Sequence, residues 1–174
     1  MAVKGEVFNR APYPSWTALG VNWLAGFDFE IKVIARIPSR TSSSVSRRNP
    51  PTMWDMASGG FSQISVATPG RLAFLSGQIA ATPGSEDVPK DLAGQAKLAT
   101  ASLAAALKEL VASAQDIVML RVYVVNATTE AFQQVFTPLR ELLGDAMPSI
   151  TTIGVQALYT PEIKVEIEMA VCLP

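Results

Sequence analysis

From Gly60 onward the hydrophobic period of this chain switches repeatedly between two residues and about 3.6, and each switch is marked by a turn or cap residue. Residues 63 to 67 alternate, with Ile64 and Val66 on one face; Thr68-Pro69-Gly70 makes a turn, and residues 72 to 75 are continuously apolar. This predicts two short strands joined by a tight turn. Asp91 then stands as an N-cap ahead of Leu92, Ala96, Ala99, Leu103, Ala106 or Leu107, and Leu110, whose three- and four-residue spacing predicts an amphipathic helix reaching about Ser113. Residues 117 to 125 are rich in β-branched side chains and read as a buried strand. Thr128 or Thr129 caps a second helix through Phe132, Val135, Phe136, Leu139 and Leu142, which Gly144 ends; Pro138 inside it predicts a kink or a late start. Residues 150 to 158 and 163 to 171 read as closing strands, the second alternating Val165, Ile167 and Met169 against Glu166, Glu168 and Ala170. The order is ββαβαββ, an α+β fold with two helices packed on one face of a sheet. A sheet covered on one face only has another face to bury, and symmetric self-association is the commonest solution.

Three absences narrow the chemistry. The chain has no His, which removes His-centred zinc sites, Ser-His and Cys-His nucleophile pairs and imidazole acid/base catalysis. Its one Cys, Cys172, permits no intrachain disulfide and no CxxC site, which fits a reducing compartment such as the cytoplasm; it reads as a small apolar residue near a strand end. No metal and no cofactor are expected. A formal net charge of −1 argues against nucleic acid as a partner, and the lack of an uninterrupted apolar run of about 18 residues argues against a membrane span.

Charge also divides the chain. Residues 1–52 hold seven basic and three acidic residues, and the remainder seven basic and twelve acidic. Residues 39 to 52, Ser- and Pro-rich and without apolar periodicity, read as a linker, so the domain is expected at 53–174 behind an N-terminal extension, 1–52. The extension fits a transit segment, mitochondrial in a eukaryote, or a dispensable tail, or a mis-assigned start with translation beginning at Met53 or Met56.

Phe74-Leu75-Ser76-Gly77-Gln78-Ile79, Gly94-Gln95-Ala96-Lys97, Asp116-Ile117-Val118 and Val165-Glu166-Ile167-Glu168-Met169-Ala170 together resemble the RidA/YjgF family of reactive-intermediate imine deaminases, over about residues 57 to 172. The resemblance implies a chorismate-mutase-like subunit assembled as a homotrimer, with small-molecule clefts at the subunit interfaces. It implies hydrolysis of 2-imino acids to 2-oxo acids and ammonia, with an arginine holding the substrate carboxylate through two parallel hydrogen bonds. Ile150 stands at that arginine's position. Two charge-assisted hydrogen bonds at roughly 1.5–3 kcal/mol each are lost with it.

The resemblance assigns the other cleft positions to Phe61 (a tyrosine in the family), Ser76, Gly77, Phe136 and Thr152, and water positioning to Glu166. Without the family, Phe61, Phe136 and Ile150 read as plain core, and Glu166 and Glu168 as solvated residues on the polar face of a strand. Ser76 has no base to activate it, so a hydrogen-bonding role fits it better than nucleophilic attack. Arg71, Arg121 and Arg140 are candidate replacements for the missing cation. The expected function is a trimer binding a small, less acidic molecule than a 2-imino acid. The alternatives are an imine or enamine hydrolase with another carboxylate contact, and a structural or regulatory trimer without turnover. Ribonuclease activity, described for some relatives, fits poorly with an acidic core that lacks a basic stripe and a His pair.

Overall fold

The computed structural model describes residues 6–22, 45–54, 64–67, 71–85 and 87–173. At the centre of its sheet lie two apolar strands, β4 (Ile117–Val125) and β6 (Val165–Cys172), paired antiparallel. Alternation turns one face of each strand to the helices: Leu120, Val122 and Val124 of β4 and Val165, Ile167 and Val171 of β6 are fully buried there. Outward from this pair, β3 (Leu72–Leu75), β2 (Ile64–Ala67) and β1 (Val45–Arg48) follow on the β6 side, and β5 (Ser149–Val155) lies beside β4. All neighbours run antiparallel except β4 and β5, which are parallel and therefore need the crossover helix between them.

Two helices cover this face. Helix α1 (Leu92–Glu109) buries Ala96, Ala99, Leu103, Ala106 and Leu107, and its alanines let the crossover helix α2 (Thr129–Leu143) approach closely through Val135 and Leu139. A fully buried leucine such as Leu103 or Leu139 contributes roughly 2 kcal/mol of transfer free energy. Asp91 caps α1 by accepting from Gly94 N at 2.7 Å, and Thr128 caps α2 by accepting from Ala131 N at 3.1 Å. Pro138 does not delay the start of α2, and Thr137 Oγ1 donates to the Gln133 carbonyl at 2.9 Å one turn back. Gly144 ends the helix at φ 53° and ψ −119°, a positive-φ conformation that glycine adopts without a Cβ clash.

The buried Gln95 ties the start of α1 to the sheet. Its Nε2 donates to Pro89 O and Glu162 O, and its Oε1 accepts from Lys164 N, all at 2.8 Å.

The observed order differs from ββαβαββ at one end. Val45–Arg48, inside the serine-rich stretch that reads as a linker, is a strand paired with β2, so the described sheet has six strands rather than five from the domain alone. An edge strand is held by backbone hydrogen bonds to one neighbour and needs no apolar periodicity. Residues 15 to 20, also within the extension, lie against the end of β3 and the loop after β5. Among the described residues no helix is long and apolar enough to cross a membrane.

Candidate functional site

The sequence-predicted site residues fall into two groups. The first gathers where β3 ends beside β6. Gln78 N and Ile167 N each donate to the other's carbonyl, at 2.8 and 2.9 Å, which sets Ser76 and Gly77 against Glu166. The approach is so close that a Cβ at Gly77 would run into the Glu166 carboxyl, so the absence of a side chain is what admits the glutamate. Ser76 and Glu166 are 1% and 4% exposed. Burial pushes the Glu166 carboxyl up to about 8, with the charge of Glu168 adding to the effect. Glu166 therefore holds its proton at neutral pH, where an ordinary glutamate has lost it.

Neither glutamate is a solvated surface residue. Glu168 accepts from Tyr123 Oη at 2.6 Å and from Arg121 at 3.3 Å, which makes Arg121 a partner of Glu168 rather than a free cation. Burial and the bond to Glu168 raise the Tyr123 phenol well above its ordinary value. Cys172 ends β6 and is exposed.

The second group lies on the other side of the sheet. Leu120 and Val122 of β4 face the helices, and their partners across the parallel pair, Ile150 and Thr152, face the same way. Together with Thr129, Phe132, Gln133, Phe136 and Arg140 from α2 they line a shallow groove of about 410 Å³. Phe136, Ile150 and Thr152 thus come together, and Arg140 is the candidate cation that shares their groove. Phe61 lies outside the described residues.

Within one chain the groups do not meet: Ile150 and Thr152 sit on the helix side of the sheet, whereas Glu166, paired with Tyr123, sits on the other. Neither group alone surrounds a ligand.

The Glu166 shelf is partly covered by a segment that the predicted site leaves out. Ser15 Oγ donates to Phe74 O at 3.1 Å, Trp16 N donates to Ser76 Oγ at 3.1 Å, and Thr17 Oγ1 accepts from Gly77 N at 3.0 Å. Leu19 packs beside Tyr123, Val155, Leu158 and Ile163, and Gly20 forms a bridge with Ala157. A sequence signal for this exists. Pro14, Ser15, Thr17, Gly20 and Val21 recur in order and spacing as Pro148, Ser149, Thr151, Gly154 and Val155, and the tetrapeptide Glu30-Ile31-Lys32-Val33 recurs as Glu162-Ile163-Lys164-Val165. The chain carries an internal repeat of its β5 region.

Residues 54–173 match the family described as Endoribonuclease L-PSP. The chain belongs to that family. YyfB of Yersinia pestis, a Rid-family protein of known structure, is 33% identical across 75% of this chain and all of its own, with a TM-score of 0.56. RidA from an Antarctic Psychrobacter is 20% identical across 74% of this chain and 99% of its own, with a TM-score of 0.64, a likeness of fold. YjgH of Escherichia coli K12, a RutC-family protein, is 72% identical over 40 residues, so the match spans only 30% of that curated relative. The Rid/YjgF membership expected from the β3, α1 and β6 motifs is therefore established, together with the α+β subunit fold.

Proposed function

We propose that this Rid-family chain works as a symmetric trimer in which the Glu166 shelf of one subunit and the Ile150 groove of the next close on a small molecule. The observation that supports this reading is the division of the site residues between opposite sides of one sheet. Each chain then offers two complementary halves, and rotation about a threefold axis joins unlike halves at every interface.

The ligand is less acidic than a 2-imino acid. Ile150 offers no hydrogen bond where a carboxylate would lie, while Phe136 and Phe132 supply apolar walls and Thr152 and Gln133 neutral polar groups. Opposite them Glu166, protonated at neutral pH, donates a hydrogen bond to a carbonyl or imine nitrogen, or holds a water. It becomes a base only as the pH passes about 8. Domain organisation follows the same reading: 53–174 is the family unit, and the part of 1–52 that carries β1 and residues 15–20 is an addition to it.

A second reading is supported by Arg140, whose guanidinium lines the groove beside Ile150. In that reading Arg140 holds the carboxylate and the chain is a 2-imino acid hydrolase. One assay separates the two. Enzymatically generated 2-iminobutyrate is expected to decay at the buffer rate with the unmodified protein, and faster with Ile150→Arg, which restores a bidentate donor. Decay accelerated by the unmodified protein and abolished by Arg140→Ala selects the second reading. Sedimentation equilibrium checks the assembly, with three subunit masses expected and a single mass at every concentration overturning both.

A further inference from the structure

Each of the three groups that fasten residues 15–17 to the Glu166 shelf has a counterpart in β5. Ser15 Oγ, Trp16 N and Thr17 Oγ1 bond to Phe74 O, Ser76 Oγ and Gly77 N, and the repeat places Ser149 Oγ, Ile150 N and Thr151 Oγ1 in the same sequence order. Strand β5 is the edge of the sheet, and every one of its residues except Val155 is exposed, Ile150 and Ile153 among them. A long exposed edge with apolar side chains is a surface for pairing. The shelf, in turn, buries a proton-bearing glutamate beneath whatever covers it.

We propose that residues 14–21 are an internal copy of residues 148–155, seated in their own chain on the shelf where β5 of a second copy docks. The segment is an intramolecular plug, and it competes with assembly. A tethered segment acts at an effective concentration of the order of millimolar, so a second chain at micromolar concentration displaces it only by making further contacts. Those contacts are available, because β5 arrives with the α2 groove behind it, whereas the plug brings no helix. This inference rests on the trimeric reading, and it adds that the site is closed in the separate chain and opens when subunits exchange β5 for the plug.

The test uses the full chain with Cys172→Ser, which removes the exposed thiol. Trp16→Cys with Ser76→Cys allows a disulfide that locks the plug; Ser76→Cys with Ile150→Cys allows the same bond between chains; Ser15→Ala with Thr17→Val removes the side-chain hydrogen bonds from Ser15 to Phe74 O and from Gly77 N to Thr17. With the lock oxidised, sedimentation is expected to give a single subunit mass at concentrations where the reduced form assembles. The Ser15→Ala/Thr17→Val chain is expected to assemble at a concentration about tenfold lower than the unmodified chain, the equivalent of roughly 1.4 kcal/mol. The Ser76→Cys/Ile150→Cys chain is expected to give covalent dimers and trimers on a non-reducing gel. Assembly that persists with the lock closed, or that the weakened plug leaves unmoved, overturns the plug and leaves the trimer standing. Single subunits in every variant, the weakened one included, overturn the trimer and the docking together.

Discussion

The Glu166 shelf and the Ile150 groove belong to one sheet, yet they are built on opposite physical terms. The shelf is dry: Ser76 and Glu166 are buried, Gly77 leaves no slack against the carboxyl, and burial holds a proton on Glu166. The groove is open: Ile150 is 37% exposed, and Gln133 and Arg140 reach solvent. A group whose proton affinity must be set needs a rigid, desolvated surround. The walls that choose a ligand need none, and can change at little cost to the fold. Ile150 lies in the tolerant half, where a side chain is free to change without disturbing the fold.

The largest expected difference between the halves is in their response to pH. Glu166 has a folded pKa raised to about 8 from 4.5, so the folded chain keeps a proton that the unfolded chain gives up. Stability therefore falls as pH rises from 4.5 through 8 and levels off above. Glu166→Gln, which copies the protonated form, is expected to match the unmodified protein at pH 4 and to exceed it by about 5 kcal/mol at pH 9. Urea midpoints across that range read the effect; parallel curves for the two proteins would place Glu166 in water and erase the contrast between the halves.

A smaller effect separates the two glycines. Gly77→Ala must push the Glu166 carboxyl aside in a buried site and is expected to cost about 2 kcal/mol. At Gly154, in β5, the added Cβ meets only Ala127 Cβ at 3.0 Å, beside an exposed strand, and a loss below about 1 kcal/mol is expected. Equal losses in thermal unfolding would mean that the shelf yields as easily as the edge.

The smallest effects belong to the groove walls. Arg140→Ala and Thr152→Val are expected to change the unfolding free energy by less than about 0.5 kcal/mol, since both side chains stand at the surface. A loss of more than about 1 kcal/mol from either would show the groove to be structural and would break the contrast with the shelf.

The order of the elements was legible because each is announced by its own period and caps; β3 and β4 begin and end where the apolar runs do. Rid-family membership was legible for the same reason, its motifs lying on those elements. The division of the site was not. Whether Ile150 and Glu166 share a face depends on the registers of β5 and β6 against β4, which lies between them in the sheet, and alternation within either strand does not specify these. The burial of Glu166 was hidden too, because a Val-Glu-Ile-Glu alternation reads as a wet face unless something is known to cover it. Strand β1 was illegible for a simpler reason: serines and arginines pair through their backbones without a hydrophobic signature. The plug did leave a trace, but only to a reader who sets Pro14–Val21 beside Pro148–Val155.

The position of β6 has a consequence for the making of the chain. It lies between β3 and β4 but follows both in the chain, so the strand that joins them is made after the two it joins. Until it arrives, β3 has no inner neighbour, and the amide of Gln95 waits for carbonyl and N–H partners 67 and 69 residues downstream. The core stays unsealed in the meantime, and the sheet is completed by the insertion of a strand between two edges that precede it in the chain. Such a chain gives chaperones a long interval in which to bind, and truncation ahead of Val165 removes the keystone of the fold rather than a margin.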